Sequence, residues 1–147
     1  MLPAFFLLSQ RSYFTLFYGN QEETMFEIFI KTHFSSAHYL RNYPGNCEHL
    51  HGHNWDVEVV VGSEQLDEID VAIDFRDLKR IVGQIMEELD HTNLNEHPAF
   101  ATVNPSSERI AEYIFSRLRQ GLDDFPSVRP LRIKVCETPG SGVIYYE

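Results

Sequence analysis

The 147-residue chain has two cysteines, one tryptophan and three methionines, and it is short of positive charge. Each shortage excludes something. Cys47 and Cys136 make no disulfide framework, and two thiols in a domain of this size fit a reducing cytoplasm. Twelve Lys and Arg against twenty-two Asp and Glu leave a formal charge of −10. A surface of that sign repels phosphate backbones and anionic bilayers, which argues against nucleic-acid or membrane partners. No run of apolar residues is long enough for a membrane span. The longest, Leu2 to Leu8, has no Lys or Arg before it and no small-residue cleavage site after it, so it makes a poor signal peptide. There is no internal repeat, low-complexity tract or linker.

What is present suits one folded domain: 43% apolar and 13% aromatic residues supply a core. Met25 stands directly before the first strand-like pattern, so residues 1–24 are expected to be a non-core extension and residues 25–147 the domain. From Met25 the chain alternates, with Phe26, Ile28, Ile30 and Phe34 on one parity, and this predicts a strand running towards Ala37. Tyr39 to Leu50, with Asn42, Pro44, Gly45 and Asn46, reads as a loop. Alternation returns from His51 to Val61, with Trp55, Val57 and Val59 on one face. Asp74 is placed to cap a helix with Phe75, Leu78, Ile81, Val82, Ile85 and Leu89 on its apolar side. A second helix is expected to start at Asn104-Pro105, Asn as cap and Pro at the first helical position, and to end at Gly121. Leu131, Ile133 and Val135 mark one face of a third strand. Pro139-Gly140-Ser141-Gly142 turns the chain into a last strand, Val143 to Tyr146. The order strand, strand, helix, helix, strand, strand predicts an α+β domain, an antiparallel sheet with its helices on one face.

His51-Gly52-His53 draws the chemistry to one place. Residues two apart in a strand point the same way, so the two imidazoles project together about 7 Å apart along the backbone. Neutral imidazole is the commonest metal ligand, and a strand-borne pair of this kind suits zinc. His38 ends the first strand on the parity of Ile28 and Ile30, as His51 and His53 share the parity of Trp55. All three rings then extend the same apolar face and can converge at its rim. Three neutral ligands with one open position describe a catalytic rather than a structural zinc site. Cys47, four residues before His51, is either a fourth ligand that closes the site or a free nucleophile or base. His49 is assigned an exposed, bland role. Asp90-His91 is either an acid–base unit or a chance pair at a helix end. Glu137 ends the apolar stripe of the third strand, where a carboxylate needs a partner. Adjacent donors on a pterin or guanine ring match it, and so does an arginine. Cys136 points to the opposite face and is assigned to packing.

Phe34-x-x-Ala37-His38, Cys47-x-x-x-His51-Gly52-His53, Leu89-Asp90-His91-x-x-Leu94-Asn95, Asn104-Pro105-Ser106-Ser107-Glu108 and Glu137-Thr138 together resemble the 6-pyruvoyl-tetrahydropterin synthase superfamily. The Cys-to-His spacing and the ending Ser141-Gly142-Val143-Ile144-Tyr145 are most similar to the bacterial 6-carboxy-5,6,7,8-tetrahydropterin synthases of the queuosine pathway. The resemblance implies a tunnelling fold, zinc on His38, His51 and His53, Cys47 as general base, Asp90 and His91 as its acid–base partners, and Glu137 as anchor of the pterin ring. It further implies 7,8-dihydroneopterin triphosphate as substrate and a homo-oligomer, hexamer or tetramer, with sites between subunits. Lys31 and Arg41 are candidates for the triphosphate by proximity alone. The competing readings are a pyruvoyl-type synthase, a dihydroneopterin aldolase, and a non-catalytic zinc-stabilised binding module.

Overall fold

The computed structural model describes residues 25–147; the expected extension, residues 1–24, lies outside them. Strand β1 runs Phe26–His38 and β2 His51–Ser63. Helix α1 follows at Phe75–Leu89 and α2 at Ser107–Gly121, then β3 at Val128–Thr138 and β4 at Ser141–Tyr145. Short 3-10 turns at Asn46–Glu48, Leu94–Glu96 and Pro98–Phe100 punctuate the loops. The four strands form one antiparallel sheet in the order β1-β2-β3-β4.

One face of the sheet carries the core. Ile30, Phe34, Trp55, Val57, Val59, Val61, Ile133 and Val135 meet the apolar stripes of both helices in a single cluster. Leu78, Ile81, Val82, Ile85 and Leu89 come from α1, and Ile110, Ile114, Phe115 and Leu118 from α2. Each fully buried aliphatic side chain of this kind contributes about 1.5–3 kcal/mol. The opposite face is largely charged: Lys31 pairs with Glu58 on the adjacent strand at 3.5 Å, and Glu27 of β1 reaches across β2 to Arg132 of β3 at 2.7 Å. No helix among the described residues is long and apolar enough to cross a membrane.

Several local expectations are corrected. Phe26 and Phe75 are exposed rather than core: Phe26 opens β1 beyond the reach of the helices, and Phe75 is the first residue of α1, ahead of its buried stripe. Leu131 does not share a face with Ile133. The register shifts at Val60/Val61, so Val59 faces Ile133 while Val61 faces Pro130, leaving Leu131 as the extra residue of a β-bulge. Its side chain packs over Gly62, where an added Cβ would sit 2.8 Å from Leu131 Cδ1. The cap of α2 is Ser106, which accepts from Arg109 N, so Asn104 and Pro105 stand before the helix. β4 begins at Ser141, two residues earlier than expected.

Candidate metal centre and reaction cleft

The antiparallel register of β1 with β2 sets His38 directly opposite His51 and Ser36 opposite His53. Cross-strand partners share a face, so the three rings gather at the open end of the apolar surface. Ring centroids lie 4.6 Å (His38–His51), 4.8 Å (His51–His53) and 5.3 Å (His38–His53) apart. Trp55, fully buried, meets His38 and His53 edge-on at 5.0 and 5.3 Å and forms the floor. A bare Gly52 between the two histidines of β2 keeps the reverse face clear.

The hydrogen bonds of these rings aim them. His38 Nδ1 lies 2.8 Å from the Pro105 carbonyl and His51 Nδ1 2.7 Å from the His49 carbonyl. Carbonyls only accept, so each Nδ1 carries the proton and each Nε2 offers a lone pair. A backbone carbonyl behind Nδ1 is the usual way of presenting a metal-binding imidazole. His49 thus contributes its backbone, while its ring is exposed. The Nε2 atoms of His38 and His53 are buried without any hydrogen-bond partner. An orphaned buried acceptor costs about 1–3 kcal/mol, so the His38 Nε2 lone pair, facing the other two rings and Glu137, fits a cation among them. One ligand atom each from His38, His51, His53 and Glu137 lies within 4.8 Å of all the others, a group able to hold a metal ion. Burial pushes the His38 and His53 pKa values below the ordinary 6.5, partly offset for His38 by the Pro105 hydrogen bond and for His53 by Glu137. Neutral rings are the form a metal requires.

Glu137 ends β3 beside this cluster. Its Oε1 is 2.9 Å from His53 Nε2, without hydrogen-bond alignment, and its Oε2 accepts from Ser107 Oγ at 3.4 Å. Its ionic neighbour among the described residues is therefore a histidine and not an arginine. Cys47 is half-buried and lies outside the four-residue group. It lines an adjoining cleft of about 310 Å³ with His38, Tyr43, Ser107, Glu137 and Val143. Ser107 and Tyr43 went unnoticed in the sequence as cleft residues; only Ser107 had a signal there, its place in the Asn-Pro-Ser-Ser-Glu run.

Asp90 and His91 form a tight pair elsewhere. Asp90 Oδ2 is 2.7 Å from His91 Nδ1, and Asp90 Oδ1 accepts from Ser35 N at 2.7 Å. The Ser35 N–H first, and His91 second, hold the Asp90 carboxyl below its ordinary value. His91 adopts φ 54, a left-handed conformation uncommon outside glycine, and donates its N–H to the Ser35 carbonyl. The pair thus rides on the outer edge of β1 with the His91 ring 83% exposed, and neither residue lines the Cys47 cleft. Lys31 projects from the opposite face of the sheet and pairs with Glu58. Arg41 spends its guanidinium on the carbonyls of Val103, Phe100 and Asn95. Neither cation is positioned to hold a triphosphate in this cleft.

The family model described as 6-pyruvoyl tetrahydropterin synthase matches residues 27–147. The 6-carboxy-5,6,7,8-tetrahydropterin synthase of Bacillus subtilis (strain 168) is 31% identical over 132 residues, 85% of this chain and 88% of that one. The 6-pyruvoyl tetrahydrobiopterin synthase of Dictyostelium discoideum is 29% identical over 124 residues, 76% of this chain and 89% of that one. The structure of Caenorhabditis elegans 6-pyruvoyl tetrahydropterin synthase superposes with a TM-score of 0.75 at 23% identity, covering 84% of this chain and 96% of that one, and fixes the fold as the same tunnelling fold. By sequence match over nearly all its described length, the chain belongs to the 6-pyruvoyl tetrahydropterin synthase family.

Proposed function

We propose that this chain is a zinc-dependent lyase that converts 7,8-dihydroneopterin triphosphate to 6-carboxy-5,6,7,8-tetrahydropterin, releasing acetaldehyde and triphosphate, in queuosine (7-deazaguanine) biosynthesis. The observation that carries the reading is the convergence of unpartnered imidazole nitrogens beside a thiol that stands outside their ligand group. The Bacillus subtilis relative's name supports the choice of product.

In this reading His38, His51 and His53 are the ligands. Bound there, zinc supplies Lewis acidity that lowers the pKa of substrate hydroxyls. Cys47 removes a carbon-bound proton as thiolate. Asp90 holds His91 through Nδ1, leaving Nε2 free to pass protons while the triphosphate departs. Glu137 accepts from the ring N–H and amino group of the pterin, two donors that match its two oxygens. The position of Asp90 and His91 on the edge of β1, away from the cleft of their own chain, supports a homo-oligomer, hexamer or tetramer, in which the dyad serves a neighbour's site. Residues 25–147 are the catalytic domain and residues 1–24 a non-core extension, in a cytoplasmic enzyme.

Incubation of the purified protein with 7,8-dihydroneopterin triphosphate, with and without a chelator, tests the reading. Acetaldehyde and 6-carboxytetrahydropterin are expected, and chelation abolishes both. A pyruvoyl product without acetaldehyde transfers the assignment to the activity in the Dictyostelium relative's name. Cys47→Ala separates an enzyme from a zinc-stabilised binding module. The enzyme reading expects one zinc per chain and no turnover, whereas loss of zinc with the thiol makes Cys47 a ligand.

A further inference from the structure

Beyond His38, β1 gives way to a loop, and the backbone of residues 39–41 has no neighbouring strand. Two asparagine side chains take that role. Asn95, buried, accepts from Tyr39 N at 2.8 Å and donates to Tyr39 O at 2.9 Å. Two residues on, Asn104 accepts from Arg41 N at 2.7 Å and donates to Arg41 O at 3.1 Å. Between them, Leu40 N turns the other way and donates to the Cys47 carbonyl at 2.7 Å. A carboxamide offers an acceptor and a donor side by side, so it copies both halves of a strand partner. Each bond fills a backbone group otherwise left unpaired in a half-buried place.

The next residue after Asn104 is Pro105, whose carbonyl accepts from His38 Nδ1. Asn104 therefore locks the chain on which that carbonyl is mounted to the chain that carries His38, three residues along from the ring. Arg41 braces the same loop through the carbonyls of Val103, Phe100 and Asn95. The Pro105 carbonyl shares its peptide unit with Ser106 N, which donates to the Asn104 carbonyl at 2.9 Å, so the direction of that unit hangs on Asn104, and the Asn104 side chain in turn is fixed to Arg41.

We propose that Asn104 is a positioning residue of the metal centre, holding the Pro105 carbonyl where it fixes the His38 tautomer and aims Nε2 at the ion. This rests on the zinc reading above, and the ligands themselves are untouched. Partners one step behind a ligand typically change metal affinity by about 10- to 100-fold.

The test is zinc affinity of the full chain, by competition with a chromophoric chelator, together with the visible spectrum of the Co²⁺-substituted protein. Asn104→Ala is expected to bind zinc about 10- to 100-fold more weakly, still one per chain at saturation, with a shifted Co²⁺ spectrum. Tyr113→Phe is the control for mere destabilisation: it cuts the hydrogen bond from Tyr113 to Glu88 between the two helices, neither of which carries a ligand, and keeps the aromatic ring. It is expected to lower Tm while leaving zinc affinity and the Co²⁺ spectrum unchanged. A folded Asn104→Ala with wild-type affinity and spectrum overturns the proposal. Should that variant not fold, Asn104→Asp carries the same test, because it keeps the acceptor for Arg41 N and replaces the donor to the Arg41 carbonyl with a charged oxygen that repels it. Weakened zinc binding there supports the role, and unchanged binding overturns it. A wild-type protein that holds no zinc removes the metal reading, and this inference with it.

Discussion

Burial sets His38 and His53 apart at the rim of the sheet. His38 is 2% exposed, and desolvation is the largest influence lowering its pKa and that of His53 below 6.5. The unfolded chain takes up those protons more readily than the folded one. Stability from these groups is therefore complete above pH 6.5 and drains away as pH falls from there through the depressed folded values. Metal-free protein should show a Tm that drops on acidification below 6.5, and zinc affinity should fall in the same window because protons compete for Nε2. Thermal scans across that range check it; a Tm indifferent to pH contradicts the burial argument. Glu137 poses a second question at this scale, since it touches His53 yet is assigned to the pterin. Glu137→Ala is expected to keep one zinc per chain and to raise KM, as a lost ring anchor does. Loss of the metal instead makes the carboxylate a fourth ligand.

The two helices hold a matched pair of glycines that respond to the same substitution with opposite sign. Gly83 lies inside α1, and a Cβ there meets nothing within 4 Å. Gly83→Ala should stabilise by about 0.5–1 kcal/mol, the entropy that glycine surrenders in a helix. Gly121 closes α2 against α1, where a Cβ would stand 2.5 Å from Ile81 Cγ2. Gly121→Ala should destabilise by about 1–3 kcal/mol through overpacking. Denaturant titrations of the two variants decide the matter, and equal shifts would mean the helices do not pack as described. The stripes on these helices were plain from residue spacing, because Leu78, Ile81, Val82, Ile85 and Leu89 recur at helical intervals whatever lies above them. The start of α2 was not. Asn104-Pro105 has the composition of a helix start, but the Asn amide is engaged by Arg41 across the loop, and Ser106 takes the cap. The bulge at Leu131 was hidden for a similar reason, since strict alternation continues through it in the sequence while the backbone slips by one residue.

On the scale of the whole molecule, the acid–base pair and the thiol belong to different surfaces of one chain. Asp90 and His91 sit along the outer edge of β1, where Ser35 and Ala37 are bonded to the segment after α1. Cys47 opens into the cleft beside Glu137. If a neighbour supplies the dyad, Cys47→Ala and His91→Ala are each inactive alone, yet dissociating and reassembling them together restores activity. An equal, random mixture should recover about a quarter of wild-type turnover, the fraction of sites that draw an intact thiol and an intact dyad from different chains. Mixed oligomers with no activity place both groups in one subunit.

Residue identity and period alone established the strands, the helices, the apolar face and the three histidines on it, because those depend on alternation, which local sequence carries. Identity also raised Cys47, Asp90, His91 and Glu137 as candidates, through the company they keep in the motifs. Only the tertiary structure decided what each one neighbours: Glu137 against His53, Arg41 bound to carbonyls instead of free for phosphate, Lys31 on the far face, and the dyad on an outer edge. Those outcomes turn on register, bulges and side-chain hydrogen bonds between segments more than fifty residues apart, and no local pattern encodes contacts over that separation.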